Sequence, residues 1–421
     1  MVDFGVKMND TTVDPESNQM EFRAPGNRPL NVLMVAPTSF FSDYGGHIRI
    51  LEESLALKSL GQQVTIVTYH QGKDVPDLNI HRTRSLPWHA DYEVGSSRHK
   101  LAFDVYLLAK TLKEGFRIRP DIVHGHMHEG ALIGAALARV LRIPLVFDFQ
   151  GGLTGEMVDH GFLDTGGYLY PWMRRLEQFI DHLPDAILTS SIRAKDILVE
   201  EFSVSPENIH PLPDNVDTNR FDPSRFSNEE KMALKKQLGI PVDKPIVAYL
   251  GLLADYQGTP QLIEAAAHLV RNGANIHFLV MGFPRVDAYR EMARQAGIND
   301  SITFTGKVEY NLAPRFLCLG DLAVSTKISA TEGSGKVLNY MAMAQPIAAF
   351  DTPVHREYLG ELGRYAPIRD SSALARVIAD LVADPVQGRV LGKKLRERAV
   401  DQYSWERAGR SITELYQSLT S

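Results

Sequence analysis

The chain has 421 residues, a formal net charge of -6 at pH 7 and 44% hydrophobic residues, as in an ordinary globular protein of roughly two or three domains. The acidic balance argues against a nucleic-acid partner, and the single cysteine, Cys318, excludes an internal disulfide. Residues 1–28 are polar, which is typical of a flexible tail and not of a signal peptide. No run reaches the ~18 apolar residues of a membrane span, so we expect a cytoplasmic protein.

The first half of the chain alternates apolar runs with helical patterns, which predicts a doubly wound parallel sheet. Strands are expected at residues 31–37, 63–68, 80–83, 121–124, 145–149 and 186–190, and helices at 47–60, 131–141 and 172–181. The loop with Gly45 and Gly46 follows the first strand, at the sheet edge where such folds bind ligands. It contains no GxGxxG fingerprint, so a dinucleotide is not indicated.

Three histidines alternate near the end of the fourth strand. If the strand continued past His124, the rings of His124, His126 and His128 would share one face and could meet a metal ion. Gly125 and the helix that follows predict instead that the strand stops near His124, and we therefore assign no metal site.

A second alternating series follows residues 208–223, which are rich in proline and asparagine and predict a linker. Its strands are expected at 246–251, 277–281, 302–305, 322–325 and 347–350, with helices at 260–272 and 285–297 among the connections. Residues 403–419 form a last amphipathic helix, with Ser404 as its N-cap.

The stretch from residue 326 to 350 joins a strand, a glycine-bearing loop, a short helix and another strand. Gly333 and Gly335 allow backbone N–H groups to approach a ligand closely, and Lys336 adds a positive charge in the first helical turn. Free amides and the helix dipole make such a loop an anion site. An ordinary strand-to-helix connection explains the same residues without a ligand.

Several motifs, taken in order, resemble the retaining family-4 glycosyltransferases of the GT-B fold. They are the first strand with its Gly45-Gly46 loop, RPDIVH at 119–124, the linker PLPDNVDTNRFDP, GLLADYQG at 251–258, FTG at 304–306, EGSGKVLNYMA and the closing YSWER at 403–407. The resemblance covers residues 31–419. It implies two Rossmann-like α/β domains that face each other across a cleft, with the C-terminal helix returning to the N-terminal domain.

The corresponding domain boundaries are a tail at 1–28, an acceptor-side domain at 29–212, a donor-binding domain at 213–402 and the returning helix at 403–421. The resemblance also implies transfer of a hexosyl-type sugar from a nucleotide-sugar donor to a hydroxyl acceptor, with retention of configuration. No cofactor and no metal ion are needed for such a transfer. The acceptor (a glycan, a lipid-linked or a small molecule) is not indicated, and peripheral membrane contact stays open.

The chain departs from the family at the donor phosphates. In the family an arginine follows the glycine at position 251 and a lysine precedes Gly258, and together they hold the diphosphate; here these positions are Leu252 and Gln257. Because a diphosphate without cationic partners is costly to enclose, we expect Lys336, with Lys327, to replace them. A solvated loop lysine is an equal interpretation of Lys327.

The predicted donor-binding residues are Gly45, Gly46, Gly251, Gln257, Lys327, Gly333, Ser334, Gly335, Lys336 and Asn339. The family also has two glutamates eight positions apart in this segment. Alignment on NYMA places Asn339 at the second glutamate, whereas alignment on Glu332-Gly333 places Tyr340 there.

Catalytic candidates come from both halves of the chain. Glu332 matches the first family glutamate, and Gln150 takes the place of a histidine that the family often has at the N-terminal side of the cleft. Asp148 and Glu156 are the carboxylates near Gln150 that can act as a base. A nucleotide-sugar epimerase on the same fold and a non-catalytic sugar- or nucleotide-binding protein are the alternatives to a transferase.

Overall fold

The structure is a computed structural model that describes residues 28–42, 45–85, 100–159, 161–328 and 333–421. Residues 1–27 of the predicted tail at 1–28 and the catalytic candidate Glu332 lie outside the described residues. Within them, the chain folds into two α/β domains, each built on a parallel sheet.

The N-terminal domain is a seven-stranded sheet in the order β3-β2-β1-β4-β5-β6-β7. Its elements are β1 Asn31–Ala36, α1 Gly45–Ser59, β2 Gln63–Thr68, β3 Asn79–Arg82, α2 Lys100–Ile118, β4 Ile122–His126, α3 Met127–Leu141, β5 Leu145–Phe149, α4 Leu153–Asp159, α5 Tyr170–Asp181, β6 Ala186–Thr189, α6 Ile192–Glu200 and β7 Ile209–Pro211. The central strands β1, β4 and β5 are buried on both faces because helices cover both.

The C-terminal domain is a six-stranded sheet in the order β10-β9-β8-β11-β12-β13. Its elements are α7 Asn228–Gln237, β8 Ile246–Leu250, α8 Thr259–Arg271, β9 His277–Met281, α9 Val286–Gln295, β10 Ile302–Gly306, α10 Ala313–Leu317, β11 Leu322–Ser325, α11 Gly335–Ala342, β12 Ile347–Phe350, α12 Pro353–Leu359, β13 Arg364–Ala366, α13 Ser371–Ala383 and α14 Pro385–Gln402. The last helix of the chain is α15 Trp405–Thr420. This arrangement confirms the predicted fold class.

Three predictions of where strands and helices begin and end were wrong. Strand β4 does not stop at His124 but continues to His126, because Gly125 lets the first turn of α3 pack directly on the strand and does not break it. Helix α1 begins at Gly45, so the two predicted loop glycines form its first turn. Residues Ile209–Pro211, predicted as linker, form the edge strand β7, where a proline needs no ladder N–H.

Helix α15 packs on helix α1 of the N-terminal domain. Ser404 caps it by accepting a hydrogen bond from the backbone N–H of Arg407. The backbone N–H of Val216 donates to the carbonyl of Tyr403 at 2.8 Å, so the two chain crossings between domains lie side by side. No helix within the described ranges is long and apolar enough to cross a membrane.

The contact between α15 and α1 depends on a glycine. A Cβ atom at Gly409 would lie 3.0 Å from the Cβ of Ala56 and 3.2 Å from Cδ1 of Leu60. We expect Gly409→Val to force the helices apart and to lower the free energy of unfolding by ~1–3 kcal/mol, which is typical of overpacking. Gly155→Val is the control because no atom lies within 4 Å of its added Cβ. Urea unfolding measures both, and equal losses would show that the helix contact is not tight.

Candidate active site

A cleft lies between the carboxyl-terminal edges of the two sheets, with a volume of about 420 Å³. This size falls within the ~300–1,000 Å³ typical of small-molecule sites. Its N-terminal wall includes Gly45, Gly46, Arg49, Gln150 and Glu156. Its C-terminal wall includes Gly251, Gln257, Lys327, Gly333, Ser334, Gly335, Lys336 and Asn339. The structure therefore brings all ten predicted donor-binding residues to one cleft.

The N-terminus of α11 forms part of the C-terminal wall. Gly335 is its first residue, so the first backbone N–H groups have no acceptor within the helix, although that of Val337 donates to the carbonyl of Ser334 at 2.9 Å. The hydroxyl oxygen of Ser334 is buried with no hydrogen-bond partner among the described residues. The chemistry of this corner fits an anion, since the N–H groups of a helix start and the helix dipole both favour negative charge.

The side chain of Lys336 leaves α11 and crosses to the loop after β8. Its Nζ donates to Oε1 of Gln257 at 3.0 Å and lies 4.7 Å from the ring centre of Tyr249. A Cβ atom at Gly251 would lie 3.1 Å from this Nζ. The ammonium group therefore lies beside Gln257 and next to the loop that carries Leu252, the two positions at which the family resemblance predicts cations. This geometry supports the predicted replacement.

Lys327 is 7% exposed and donates to the backbone carbonyl of Gly333. This contact disfavours the interpretation of Lys327 as a solvated loop lysine. Behind it, burial lowers the pKa of His355 to about 4, with smaller contributions from Lys336 and Lys327. His355 is therefore neutral at pH 7, and the positive charge of this corner comes from the two lysines.

The structure distinguishes the two alignments of the second family glutamate. Tyr340 is fully buried, and its hydroxyl group accepts from the backbone N–H of Leu250 at 2.7 Å and donates to the carbonyl at 3.1 Å. Asn339 lines the cleft. Only Asn339 can contact a donor, and its amide can both donate and accept.

Gln150 and Asp148 have different positions. Gln150 lines the cleft, and its Nε2 donates to Oδ2 of Asp148 at 2.8 Å. Its Oε1 lies against Gly46, where an added Cβ would collide with it. Asp148 is fully buried below Gln150 and does not line the cleft. A carboxylate in this place orients Gln150 and does not reach a substrate, so the geometry does not support the prediction that Asp148 is a base.

Sequence analysis missed the buried arginine below the cleft. Arg49 of α1 is 4% exposed and pairs with Asp148 at 2.8 Å, Glu53 at 3.1 Å and Asp214 at 3.3 Å. Its only sequence signal was a charged residue among the apolar positions of α1. Asp214, which lines the cleft beside Gly333, was missed because it lay in the predicted linker.

The buried ionisable groups around Arg49 change one another's pKa values. Burial opposes ionisation of Asp148, but Arg49 and the hydrogen bond from Nδ1 of His126 hold its pKa well below the usual range. Burial, together with the charge of Asp148, raises the pKa of Glu53 well above its usual range. Burial also lowers the pKa of His124. At neutral pH the cluster therefore holds the Arg49–Asp148 ion pair with a neutral His124.

Two protein-family models match this chain, one in its N-terminal half and one in its C-terminal half. Residues 45–220 match the family model described as Glycosyltransferase Family 4, and residues 230–402 match the model described as Glycosyl transferases group 1. Together with the two sheets and the cleft, these matches show that the chain belongs to the family-4 glycosyltransferases of the GT-B fold. The prediction from its motifs is confirmed at this level.

Individual relatives are distant. The chain is 23% identical to a D-inositol 3-phosphate glycosyltransferase of Corynebacterium kroppenstedtii, over 89% of this chain and 85% of the relative. Among solved structures it is similar to sucrose-phosphate synthase from Thermosynechococcus elongatus, with a TM-score of 0.78 and 17% identity over 93% of this chain and 99% of the other. It is also similar to Anabaena HepE in complex with UDP-glucose, with a TM-score of 0.74 and 15% identity over 93% and 100%.

Proposed function

We propose that this enzyme transfers a hexosyl-type sugar from a nucleoside-diphosphate sugar to a hydroxyl group, with retention of configuration and without a metal ion. The observation that carries the proposal is the position of Lys336 and Lys327 at the N-terminus of α11, in the cleft between the two domains. Two lysines and a set of helix N–H groups can bind a diphosphate of about two negative charges.

The other wall of the cleft fits a sugar and its acceptor. Gln150 on this N-terminal wall and Asn339 on the facing C-terminal wall offer amide groups, which can hydrogen-bond sugar hydroxyls. Glu156 is a carboxylate on the N-terminal wall, on the side where the GT-B arrangement admits the acceptor. We propose Glu156 in place of Asp148 as the carboxylate that contacts the acceptor, with a cytoplasmic location for the reaction.

The donor proposal predicts that nucleoside diphosphates stabilise the folded chain. At a concentration of about 100 times its Kd, a ligand adds ~2.7 kcal/mol to the free energy of unfolding, which raises the melting temperature visibly. A thermal-shift series over nucleoside diphosphates and their sugars tests this, starting with UDP and UDP-glucose because a structural neighbour was solved with the latter. If no member of the series moves the melting temperature, the donor site is wrongly assigned.

The reaction products distinguish a glycosyltransferase from an epimerase and from a non-catalytic binding protein. With the donor found by thermal shift and a panel of hydroxyl acceptors, ¹H NMR of the anomeric proton is expected to show a glycoside of the same configuration as the donor. An inverted product would contradict retention. Conversion of the donor sugar into an isomer with no acceptor would favour an epimerase, and binding without any turnover would favour a binding protein.

A further inference from the structure

A second group of ionisable side chains lies inside the N-terminal domain, away from the walls of the cleft. It joins His128 of α3 to Glu177 and Asp181 of α5. The three side chains are 3%, 0% and 1% exposed, and their candidate ligand atoms lie within 4.8 Å of one another. We name them the His128 triad.

The polar atoms of the triad are poorly satisfied by protein groups. Both carboxylate oxygens of Asp181, Oε1 of Glu177 and Nε2 of His128 are buried and make no hydrogen bond among the described residues, although Nε2 lies within ion-pair distance of both carboxylates. Oε2 of Glu177 accepts from the backbone N–H and the hydroxyl group of Thr154. Buried oxygens without a hydrogen bond destabilise a fold by about 1–3 kcal/mol or more each, and one imidazole cannot satisfy three such oxygens, so a further partner is expected at this point.

Helix α5 exposes apolar side chains to solvent and buries two carboxylates, which is the reverse of the usual arrangement. Its outward face carries Trp172, Leu176 and Phe179, which are 66%, 40% and 55% exposed, while the two carboxylates point inward. Rotation of the helix would bury the apolar side chains and hydrate the carboxylates. The observed orientation favours a cation beside the two carboxylates, because buried carboxylates are otherwise costly, and His128 can balance the charge of only one of them.

We propose that the His128 triad binds one divalent transition-metal ion, with Zn²⁺ as the best fit. Nε2 of His128 lies 3.3 Å from Oδ1 of Asp181 and 3.8 Å from Oε1 of Glu177. Ligands 2.0–2.1 Å from a tetrahedral ion are about 3.3–3.4 Å apart, so these atoms need to move little. An ion of charge two balances the two carboxylates, while a neutral imidazole supplies a nitrogen ligand. One nitrogen and two oxygens suit Zn²⁺ better than Ca²⁺, which takes about 6–8 oxygen ligands.

The other buried cluster, formed by Glu53, His124, His126 and Asp148, does not meet the same test. The guanidinium group of Arg49 lies among its carboxylates, 2.8 Å from Oδ1 of Asp148 and 3.1 Å from Oε1 of Glu53. Oδ2 of Asp148 accepts from His126 and Gln150. A fixed cation already fills this cluster, whereas within the described residues no arginine or lysine is paired with the His128 triad.

The ion would have a structural role in the acceptor-side wall. Glu177 links the triad to Thr154 in the first turn of α4, and α4 carries Glu156 into the cleft. A metal ion that fixes Glu177 therefore also fixes the start of this helix. The proposed transfer reaction itself does not pass through the ion, so a failure of one proposal does not decide the other.

Equilibrium dialysis of the chelator-treated full chain against ZnCl₂, with zinc counted by mass spectrometry, tests the proposal. We expect the wild type to bind one more ion per chain than Asp181→Asn, and His128→Asn to weaken that site at least about tenfold, since even outer partners of metal sites contribute about 10–100-fold. Glu200→Gln is the control, because it removes an exposed carboxylate of the neighbouring helix α6. Equal zinc binding by wild type and Asp181→Asn would overturn the proposal.

Melting temperatures with and without zinc distinguish the loss of a metal site from misfolding of the variant. Without metal, Asp181→Asn is expected to melt at or above the wild-type temperature, because a buried carboxylate that makes no hydrogen bond among the described residues has been removed. Zinc is then expected to raise the melting temperature of the wild type and of Glu200→Gln, and to leave that of Asp181→Asn unchanged. If zinc changes neither protein, while lowering the pH raises the wild-type melting temperature alone, a proton and not a metal ion neutralises the triad.

Discussion

Lys336→Ala is expected to weaken donor binding or turnover by roughly ten- to a hundredfold, because it removes a charge-assisted hydrogen bond worth ~1.5–3 kcal/mol. In the structure Leu252 and Gln257 contribute no charge, and the Nζ of Lys336 lies 3.0 Å from Oε1 of Gln257. We therefore expect Lys336 to carry an unusual share of the diphosphate charge, with Lys327 as the second cation of the proposed site. Titration calorimetry with the nucleoside diphosphate and initial rates with its sugar measure the effect.

Two further variants make this test specific. Lys336→Arg is expected to recover part of the loss, because charge matters more than fork geometry at this position. Gln257→Lys restores the family cation and is expected to leave donor binding unchanged or to tighten it, although it places two ammonium groups together in the donor-free protein. Lys393→Ala, at an exposed position of α14, is the control. If Lys336→Ala binds donor as the wild type does, Lys336 is not part of the site.

Arg49→Met is expected to cost about 3–5 kcal/mol of folding stability, the usual effect of breaking a buried ion pair. The substitution leaves Asp148, Glu53 and Asp214 without the cation that lies 2.8–3.3 Å from each of them. Urea unfolding at pH 7 measures the loss. Arg294→Met is the matched control, since Arg294 forms an exposed pair with Glu291 on α9 and such pairs contribute little.

The loss caused by Arg49→Met is also expected to depend on pH. In the wild type the pKa of Asp148 is lowered, so its contribution is present above its unfolded pKa of about 3.9 and disappears as the pH falls through the folded pKa. In the variant the same buried carboxyl group has a raised pKa, so the variant gains stability relative to the wild type on acidification. The difference between them should therefore shrink between about pH 7 and pH 4. A difference that is constant over this range would show that lost packing, and not charge, causes the effect.

The sequence was most informative where one pattern has one structural meaning. Apolar runs bounded by turns predicted every strand of the described residues except the three-residue edge strands β7 and β13, and the motifs predicted the GT-B arrangement. Gly125 shows where such reasoning fails, because glycine marks both a strand end and a close approach of two backbones, and only the neighbouring turn of α3 decides between them. The extension of β4 to His126 followed from the second meaning.

The candidate site also has a part that the sequence predicted and a part that it did not. The position of Lys336 and Gly333 in the cleft could be predicted because the loop and the helix start are contiguous in sequence, and their contact with a donor stays a prediction. The Arg49 cluster was not, since its partners Asp148 and Asp214 are 99 and 165 positions away along the chain. The burial of Asp148 could not be seen either, because a carboxylate at the end of a parallel strand can face the cleft or the interior. Such long-range pairings require the folded chain.

Helix α15 has a consequence for the order of events during synthesis. Ile412 and Tyr416 are fully buried with residues of α1, and the hydroxyl group of Tyr416 lies 2.5 Å from Nδ1 of His124, although 292 positions separate them. The N-terminal domain therefore receives part of its own core from a helix that is translated long after its last strand. At about 5–20 residues per second, the roughly 200 residues between β7 and the end of α15 take about 10–40 s to translate. During that time the apolar residues of α1 that α15 covers in the folded enzyme lack this cover, so we expect the nascent chain to aggregate more readily than the folded enzyme.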